Sequence, residues 1–381
     1  MLGFIRAEFA LSAADAGLIA TAFFLGSALT MLAGGAIGDR IGTRPAVTLG
    51  LLLVTMGGLG AGLLAPSFPA LLGWRFLGGL GSGFGFAAGA AYTSSILDDR
   101  GRHFAQGLHG ASFLLGSAIT LVYIPLLAGP SGDWRLAFTL SAVAVAGVWV
   151  AWTLLAPGEP RLPTATRARA AFADALRERN TWLLALCHMC GFGMAIVVGT
   201  WVTLYLADVF GLPLAAAGLI GSLTLVTGIA ARATGGVILE GGMRPVRLIR
   251  VGLGLAIAGL ALLALAPVLP VAIVGLVVTG LGVGLPYAAV FNGAAASAPT
   301  SPASAQAIVG WGGLLMAIFG PPLVGTLLDA TGDYAAGFLV FVAIILAVLA
   351  VTPLIRPFDM TTVDRAPGDA VGADGRADAS V

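Results

Sequence analysis

Apolar runs of about 20 residues alternate with short charged clusters along the chain. Each run is long enough to cross a bilayer as a helix. The runs fall at 14–35, 46–65, 70–97, 104–128, 135–156, 181–206, 214–239, 246–266, 270–297, 305–328 and 335–356. The pattern predicts an all-α polytopic membrane protein with eleven spans. Residues 1–11 are too short to cross. Residues 157–180 form a basic linker with an amphipathic patch, and 357–381, rich in Asp, Gly and Ala, read as a disordered tail.

An internal repeat organises these runs. Ala16-Gly17-Leu18-Ile19 matches Ala217-Gly218-Leu219-Ile220, and Gly34-Gly35-Ala36-Ile37 matches Gly235-Gly236-Val237-Ile238, with Glu240 beneath Asp39. Gly79-Leu80-Gly81-Ser82-Gly83 matches Gly280-Leu281-Gly282-Val283-Gly284 at the same offset of 201 residues. Parallel repeats about a membrane-normal axis, with the solute site between them, are a transporter architecture. The expected division is a helix bundle at 1–156, the linker at 157–180, a second bundle at 181–356 and the tail at 357–381. The repeat aligns Phe4 with Tyr205 and Phe9 with Phe210, so the run at 181–206 lacks a counterpart in the first half. A helix encoded upstream of Met1 is the expectation.

Composition sharpens the membrane reading. The chain is 58% hydrophobic and 10% charged, where a soluble domain carries roughly 25% charged residues. Its mean hydropathy is +0.99. The 56 glycines suit close approach of helices in lipid. All 19 basic residues are arginine. Arginines at 40, 44, 100, 102, 161, 167, 169, 177, 179, 244, 247, 250 and 356 mark alternate loops and the last helix end, and the intervening loops carry none. The positive-inside rule then puts the marked loops, the linker and the tail on the cytoplasmic side of the cell (inner) membrane. Cys187 and Cys190 share one apolar run, which excludes a disulfide framework. No nucleotide-binding loop, Gly-x-Ser-x-Gly turn or metal-ligand pair points to an enzyme, a cofactor or a metal. No nucleic-acid partner is expected.

The stretch Gly34-Gly35-Ala36-Ile37-Gly38-Asp39-Arg40-Ile41-Gly42-Thr43-Arg44-Pro45 resembles the cytoplasmic loop signature of the major facilitator superfamily of transporters. Arg75-Phe76-Leu77-Gly78-Gly79-Leu80-Gly81 is similar to that superfamily's arginine-glycine signature on its fourth helix. The resemblance implies two pseudo-symmetric six-helix halves that rock about a central site. It also implies a latch, with Asp39 approaching the N-terminus of the helix starting near Pro302. By the repeat, Glu240 would face the helix start at His103–Ala105. Gly228–Gly236, centred on Arg232, looks like the eighth helix of nitrate and nitrite porters, whose arginine there contacts the anion. Their second arginine has no counterpart, since Met31 stands at the repeat-related position. The fifth-helix antiporter signature is absent from Gly110–Leu127.

Arg232 lies about two turns, roughly 11 Å, inside its helix end. An intramembrane arginine is a functional-site hypothesis by default, set against snorkelling or the satisfaction of carbonyls between helices. Arg75 reads as a gating residue or as a structural pair. His109, Ser112, Gly116, Thr120 and Tyr123 share one helix face and read either as cavity lining or as polar glue. Tyr92, Trp201, Tyr287, Asn292 and Trp311 are cavity candidates against simple packing. His188, between the cysteines, reads as a buried structural cluster. No run buries a carboxylate at its middle, so a coupling proton would fall to His109, to His188 or to a preceding helix.

The expected function is secondary active transport of a small solute by alternating access, with Arg232 pointing to an anion. Expected solute-binding residues are Arg232, His109, Tyr123, Asn292 and Trp311. Expected gating residues are Asp39, Arg40, Arg44, Glu240 and Arg75. The expected partners are the solute, a coupling ion and the lipid bilayer around a monomer. The alternative is an efflux antiporter for amphipathic organic compounds.

Overall fold

The computed structural model describes residues 1–96, 99–129, 131–158 and 166–358, without the side chains of 33–40, 94–95, 99–107 and 166–171. Among these residues the secondary structure is helix, with no strand. A short α1 (Leu2–Phe9) is followed by α2 (Ala13–Ile41), α3 (Thr43–Leu63), α4 (Phe68–Ile96), α5 (Asp99–Ala128) and α6 (Trp134–Leu155). The basic segment contains α7 (Thr166–Arg177). The next long run is α8 (Arg179–His188), a π-helical turn at Met189–Gly193, and α9 (Met194–Phe210). Then come α10 (Leu214–Gly221), α11 (Leu223–Glu240), α12 (Pro245–Ala264), α13 (Leu269–Gly284), α14 (Tyr287–Ser297), α15 (Pro302–Thr331) and α16 (Tyr334–Val351).

Ten of these helical runs, among the described residues, are long and apolar enough to cross a membrane. The expectation was eleven. The difference is α4, which has 29 residues but whose hydropathy is diluted by Arg75 and by its glycines. Three runs that read as continuous in sequence have interrupted ladders: the π-turn after α8, the break between α10 and α11 at Ser222, and the break between α13 and α14. Pro286 causes the last of these, because it has no N–H to donate. Elsewhere the ends follow ordinary capping. The Asp133 carboxylate accepts from the Arg135 and Leu136 amides to start α6. Gly211 and Gly332 close α9 and α15 at φ 66° and 71°, where a side chain would be strained.

Small residues set the packing. α2, α3 and α4 pack on one another, and α6 lies on α3. A Cβ on Gly57 would stand 2.5 Å from the Gly78 amide, and one on Gly50 would stand 2.8 Å from the Gly81 carbonyl. The α3 and α4 backbones are therefore in direct contact, the geometry that drives helix association where lipid tails offer no hydrophobic gain. α12 packs in the same way on α13, with Gly259 facing the Gly275 carbonyl. Leu154 and Leu155 on α6 and Leu63 on α3 stay largely exposed, as expected of side chains facing lipid. α1 is tied to α6 by Glu8, which accepts from Trp134 Nε1 at 2.6 Å and from Arg135 Nη1 at 2.7 Å. Partial burial pushes the Glu8 carboxyl up, and these two donors outweigh it and bring the group below its ordinary value.

The two sets of helices meet along α2 with α15 and along α5 with α10 and α11. At the end remote from the arginine-bearing loops, α2 and α15 close like a zip. Gly17 lies against the backbone of Pro321 and Pro322, and Thr21 Oγ1 donates to the Ile318 carbonyl at 2.6 Å. Asp329 then caps α2, accepting from the Ala13 amide at 2.9 Å and the Ala14 amide at 2.8 Å. The carboxylate meets two of the orphan amides and the positive end of the helix dipole. The side chains of Asp39, expected to form a latch at the other end, and of Arg40, expected at the gate, lie outside the described residues, as do those at 103–105, where the partner of Glu240 was expected. We expect Asp329→Asn to weaken this closure by about 1 kcal/mol. In a chain with Cys187 and Cys190 replaced by Ala, a thiol placed at the fully buried Ala16 should then react with a membrane-impermeant maleimide roughly fivefold faster. An unchanged rate would show that the cap contributes nothing to closure.

Candidate functional site

The breaks in the helices converge on Arg232. Its helix, α11, presents Gly228 to the Gly280 carbonyl and Gly235 to Leu285, so α11 lies close to α13 and to the break at Leu285–Pro286. That break starts α14 with Tyr287, whose ring lies under the guanidinium, 4.1 Å from its carbon to the ring centroid. Arg232 Nη1 donates to the Gly110 carbonyl of α5 at 2.7 Å. Its Nε is buried and has no hydrogen-bond partner among the described residues. The cation is thus held by one carbonyl and one ring face, with a donor left unmet. A buried donor in that state costs about 1–3 kcal/mol. A Cβ at 110 would stand 2.5 Å from the Tyr287 hydroxyl, so any residue larger than glycine there must displace the phenol.

From Tyr287 a ribbon of aromatic rings crosses the molecule. Tyr287 meets Phe291 at 4.6 Å, Phe291 meets His188 edge-on at 4.8 Å, and His188 stacks on Phe192 at 5.7 Å and 15°. Phe192 meets Phe113 of α5 at 5.1 Å, and Phe113 meets Phe24 of α2 at 6.0 Å. Phe24 and the adjacent Phe23 are edge-to-face at 5.4 Å, and Phe23 faces the Arg75 guanidinium at 4.5 Å. The ribbon therefore joins the two intramembrane arginines and passes from one helix set to the other between Phe192 and Phe113. The π-turn positions its middle. It holds His188 and Phe192 on the same side, against Gly313 of α15, where a Cβ would stand 2.8 Å from the imidazole and 3.1 Å from Phe192. π-turns inside helices are frequent at functional sites.

Of the other expected binding residues, Trp311 joins the cluster that contains Phe24, Phe113 and Phe192. Asn292 is half-buried on α14. His109 turns toward α4, where its Nε2 donates to the Phe86 carbonyl at 3.0 Å and its ring lies on Phe86 at 4.6 Å. Tyr123 turns toward α6 and hydrogen-bonds Ser141. The α5 stripe does not converge on Arg232, since Ser112 and Thr120 bond back to the carbonyls of His109 and Gly116. Trp201 and Tyr92 are buried packing residues, bonded to the Pro321 and Pro157 carbonyls. Arg75 lies between Phe23 and Phe138, with Nε 3.5 Å from the Ile19 carbonyl. Arg44 donates to the Thr153 carbonyl at 2.9 Å and lines an open depression of about 450 Å³ on α3 and α6, away from Arg232. Glu240 is exposed at the end of α11. Among the described residues, no group of His, Cys, Asp and Glu could hold a metal ion.

A family model for the Major Facilitator Superfamily matches residues 1–306. The chain belongs to that superfamily. Among its relatives, "Probable nitrate/nitrite antiporter NarK1" of Thermus thermophilus is 28% identical over 248 residues, covering 62% of this chain and 55% of NarK1. The matched stretch is thus about half the length of that relative. "Probable sulfoacetate transporter SauU" of Cupriavidus necator is 27% identical over 391 residues, covering 92% of this chain and 88% of SauU. In fold, the chain is similar to a bacterial homologue of the human lysosomal transporter spinster, in an inward-facing and unoccupied conformation. There the TM-score is 0.75 at 17% identity, over 92% of this chain and 91% of that one. The superfamily member FucP in its outward conformation gives 0.62 at 18% identity, over 90% of both chains. In this superfamily member the unmet donor, the π-turn and the proline break all belong to the second half of the repeat.

The ring beneath Arg232 gives a direct test of the geometry. Tyr287→Leu removes the cation–π face and should destabilise the detergent-purified protein by about 1–2 kcal/mol. Tyr287→Phe keeps the face and should melt close to the parent. Equal losses in both variants would mean that the hydroxyl, and not the ring, supports the guanidinium.

Proposed function

We propose that this chain is a secondary transporter that moves a small anionic solute across the cell membrane by alternating access. Arg232 is its anion-binding group. The observation that carries the reading is the buried Nε of Arg232, without a partner among the described residues, on a guanidinium that cannot give up its charge. A carboxylate, sulfonate or other oxyanion meets that donor and adds the opposite charge, and the planar guanidinium suits such a group where a lysine does not. The names of the relatives, nitrate and sulfoacetate carriers among them, agree with an anion.

In this reading residues 1–156 and 181–356 are the two moving halves, joined by the linker at 157–180. The arginine-bearing loops and the tail face the cytoplasm by the positive-inside rule. Arg232, Tyr287, Asn292 and Trp311 line the solute path, and His188 is the titratable group on the ribbon beside them. Arg75 and the α2–α15 zip belong to the gate on the non-cytoplasmic side, with Asp39, Arg40, Arg44 and Glu240 at the cytoplasmic face. An efflux antiporter for amphipathic organic compounds would use the same aromatic ribbon but would not need the charge.

The test is initial uptake of radiolabelled sulfoacetate and nitrate into proteoliposomes, normalised to reconstituted protein. Losing a charge-assisted contact costs about 1.5–3 kcal/mol, so Arg232→Lys should slow uptake at least about tenfold while the protein still purifies folded. Undiminished uptake through Arg232→Lys would overturn the reading.

A further inference from the structure

The surroundings of Arg232 discriminate among anions. We infer that the solute is an organic anion with a flat, unsaturated or aromatic body, its charged end on Arg232 and its body against the ribbon of Phe291, His188, Phe192 and Phe113. The inference rests on the anion reading and narrows it.

An inorganic oxyanion such as nitrate is polar on every side. On leaving water it must recover hydrogen bonds around its whole periphery, or lose several kcal/mol. Among the described residues this site offers one cation, the Tyr287 phenol, the His188 imidazole, the Asn292 amide and the Trp311 indole N–H, and most of the side chains named around them are aromatic rings. No second cation stands at the repeat-related position, where Met31 lies against Gly310 of α15. An organic anion makes a different demand. Its charge is confined to one end, where a single guanidinium is enough, and its body gains by leaving water in proportion to its apolar area. Phe113, Phe192, Tyr287, Phe291 and Trp311 are each only half-buried, so each keeps apolar surface that a flat solute can cover. Rings favour offset or edge-on partners at 4.5–7 Å, the spacing already used along the ribbon. Gly313 brings no side chain against His188 and Phe192, and Gly110 brings none against Tyr287.

Three permanently charged probes separate head group from body: sodium benzenesulfonate, sodium methanesulfonate and sodium nitrate. Each is titrated into the purified full chain by calorimetry. Benzenesulfonate should bind at least about tenfold more tightly than methanesulfonate, with which it shares its head group, and more tightly than nitrate. Phe192→Leu and Phe291→Leu, which keep bulk but remove the ring, should erase most of that advantage and leave methanesulfonate unchanged. Arg232→Gln should weaken all three. If nitrate and methanesulfonate bind as tightly as benzenesulfonate and all three depend on Arg232, the inference is overturned and the anion reading stands. If benzenesulfonate binds equally well to Arg232→Gln, the anion reading itself falls. Absence of binding by all three overturns both.

Discussion

A guanidinium cannot be neutralised inside a membrane protein, so a bundle that buries one must be built around its needs. Arg232 is that constraint here. One nitrogen reaches across to α5 and bonds the Gly110 carbonyl, which fastens one set of helices to the other at the depth of the site. The Tyr287 ring supports the cation from below, and that ring is in place because Pro286 interrupts the helix before it. The position of Gly110 follows from the same contact, since any side chain would strike the phenol. The Arg232 Nε is buried without a hydrogen-bond partner among the described residues, and in the proposed reading an anion meets it.

The rest of the bundle makes movement around that point feasible. Within each helix set the contacts are backbone to backbone through glycine, and between the sets Gly17 on Pro321 and Pro322 and Gly218 on the Leu121 carbonyl repeat that close approach, with polar bonds added. Asp329 on the α2 amides and Thr21 on the Ile318 carbonyl seal one end. Such contacts are worth about 1 kcal/mol each, enough to bias a two-state equilibrium and weak enough for a solute to reverse. The aromatic ribbon crosses the boundary at Phe192 and Phe113, where rings can slide without losing hydrogen bonds.

Much of this was legible in the sequence because the bilayer demands long apolar helices and the repeat doubled the signal. Arg232 stood out for the same reason: a lone charge in an apolar run is rare. What could not be read was direction. Periodicity put His109 and Tyr123 on one face of α5, but not which neighbour that face meets, and both turn to other helices of the first half. Asp329 caps amides 316 and 315 residues away, a pairing that no local pattern reveals. The π-turn left no clear mark beyond the glycines around Phe192. Pro286 was visible too, but Pro125, Pro321 and Pro322 lie inside unbroken helices, so a proline within an apolar run did not by itself mark the break before Tyr287.

The most direct test is structural. Crystals of the full chain grown with bromomethanesulfonate allow the anion to be located from the anomalous signal of bromine. A sulfonate oxygen within about 3 Å of Arg232 Nε, with the Tyr287 ring still beneath the guanidinium, is the expected result. A bound anion located elsewhere in the bundle, with Arg232 unchanged on the Gly110 carbonyl, would contradict it.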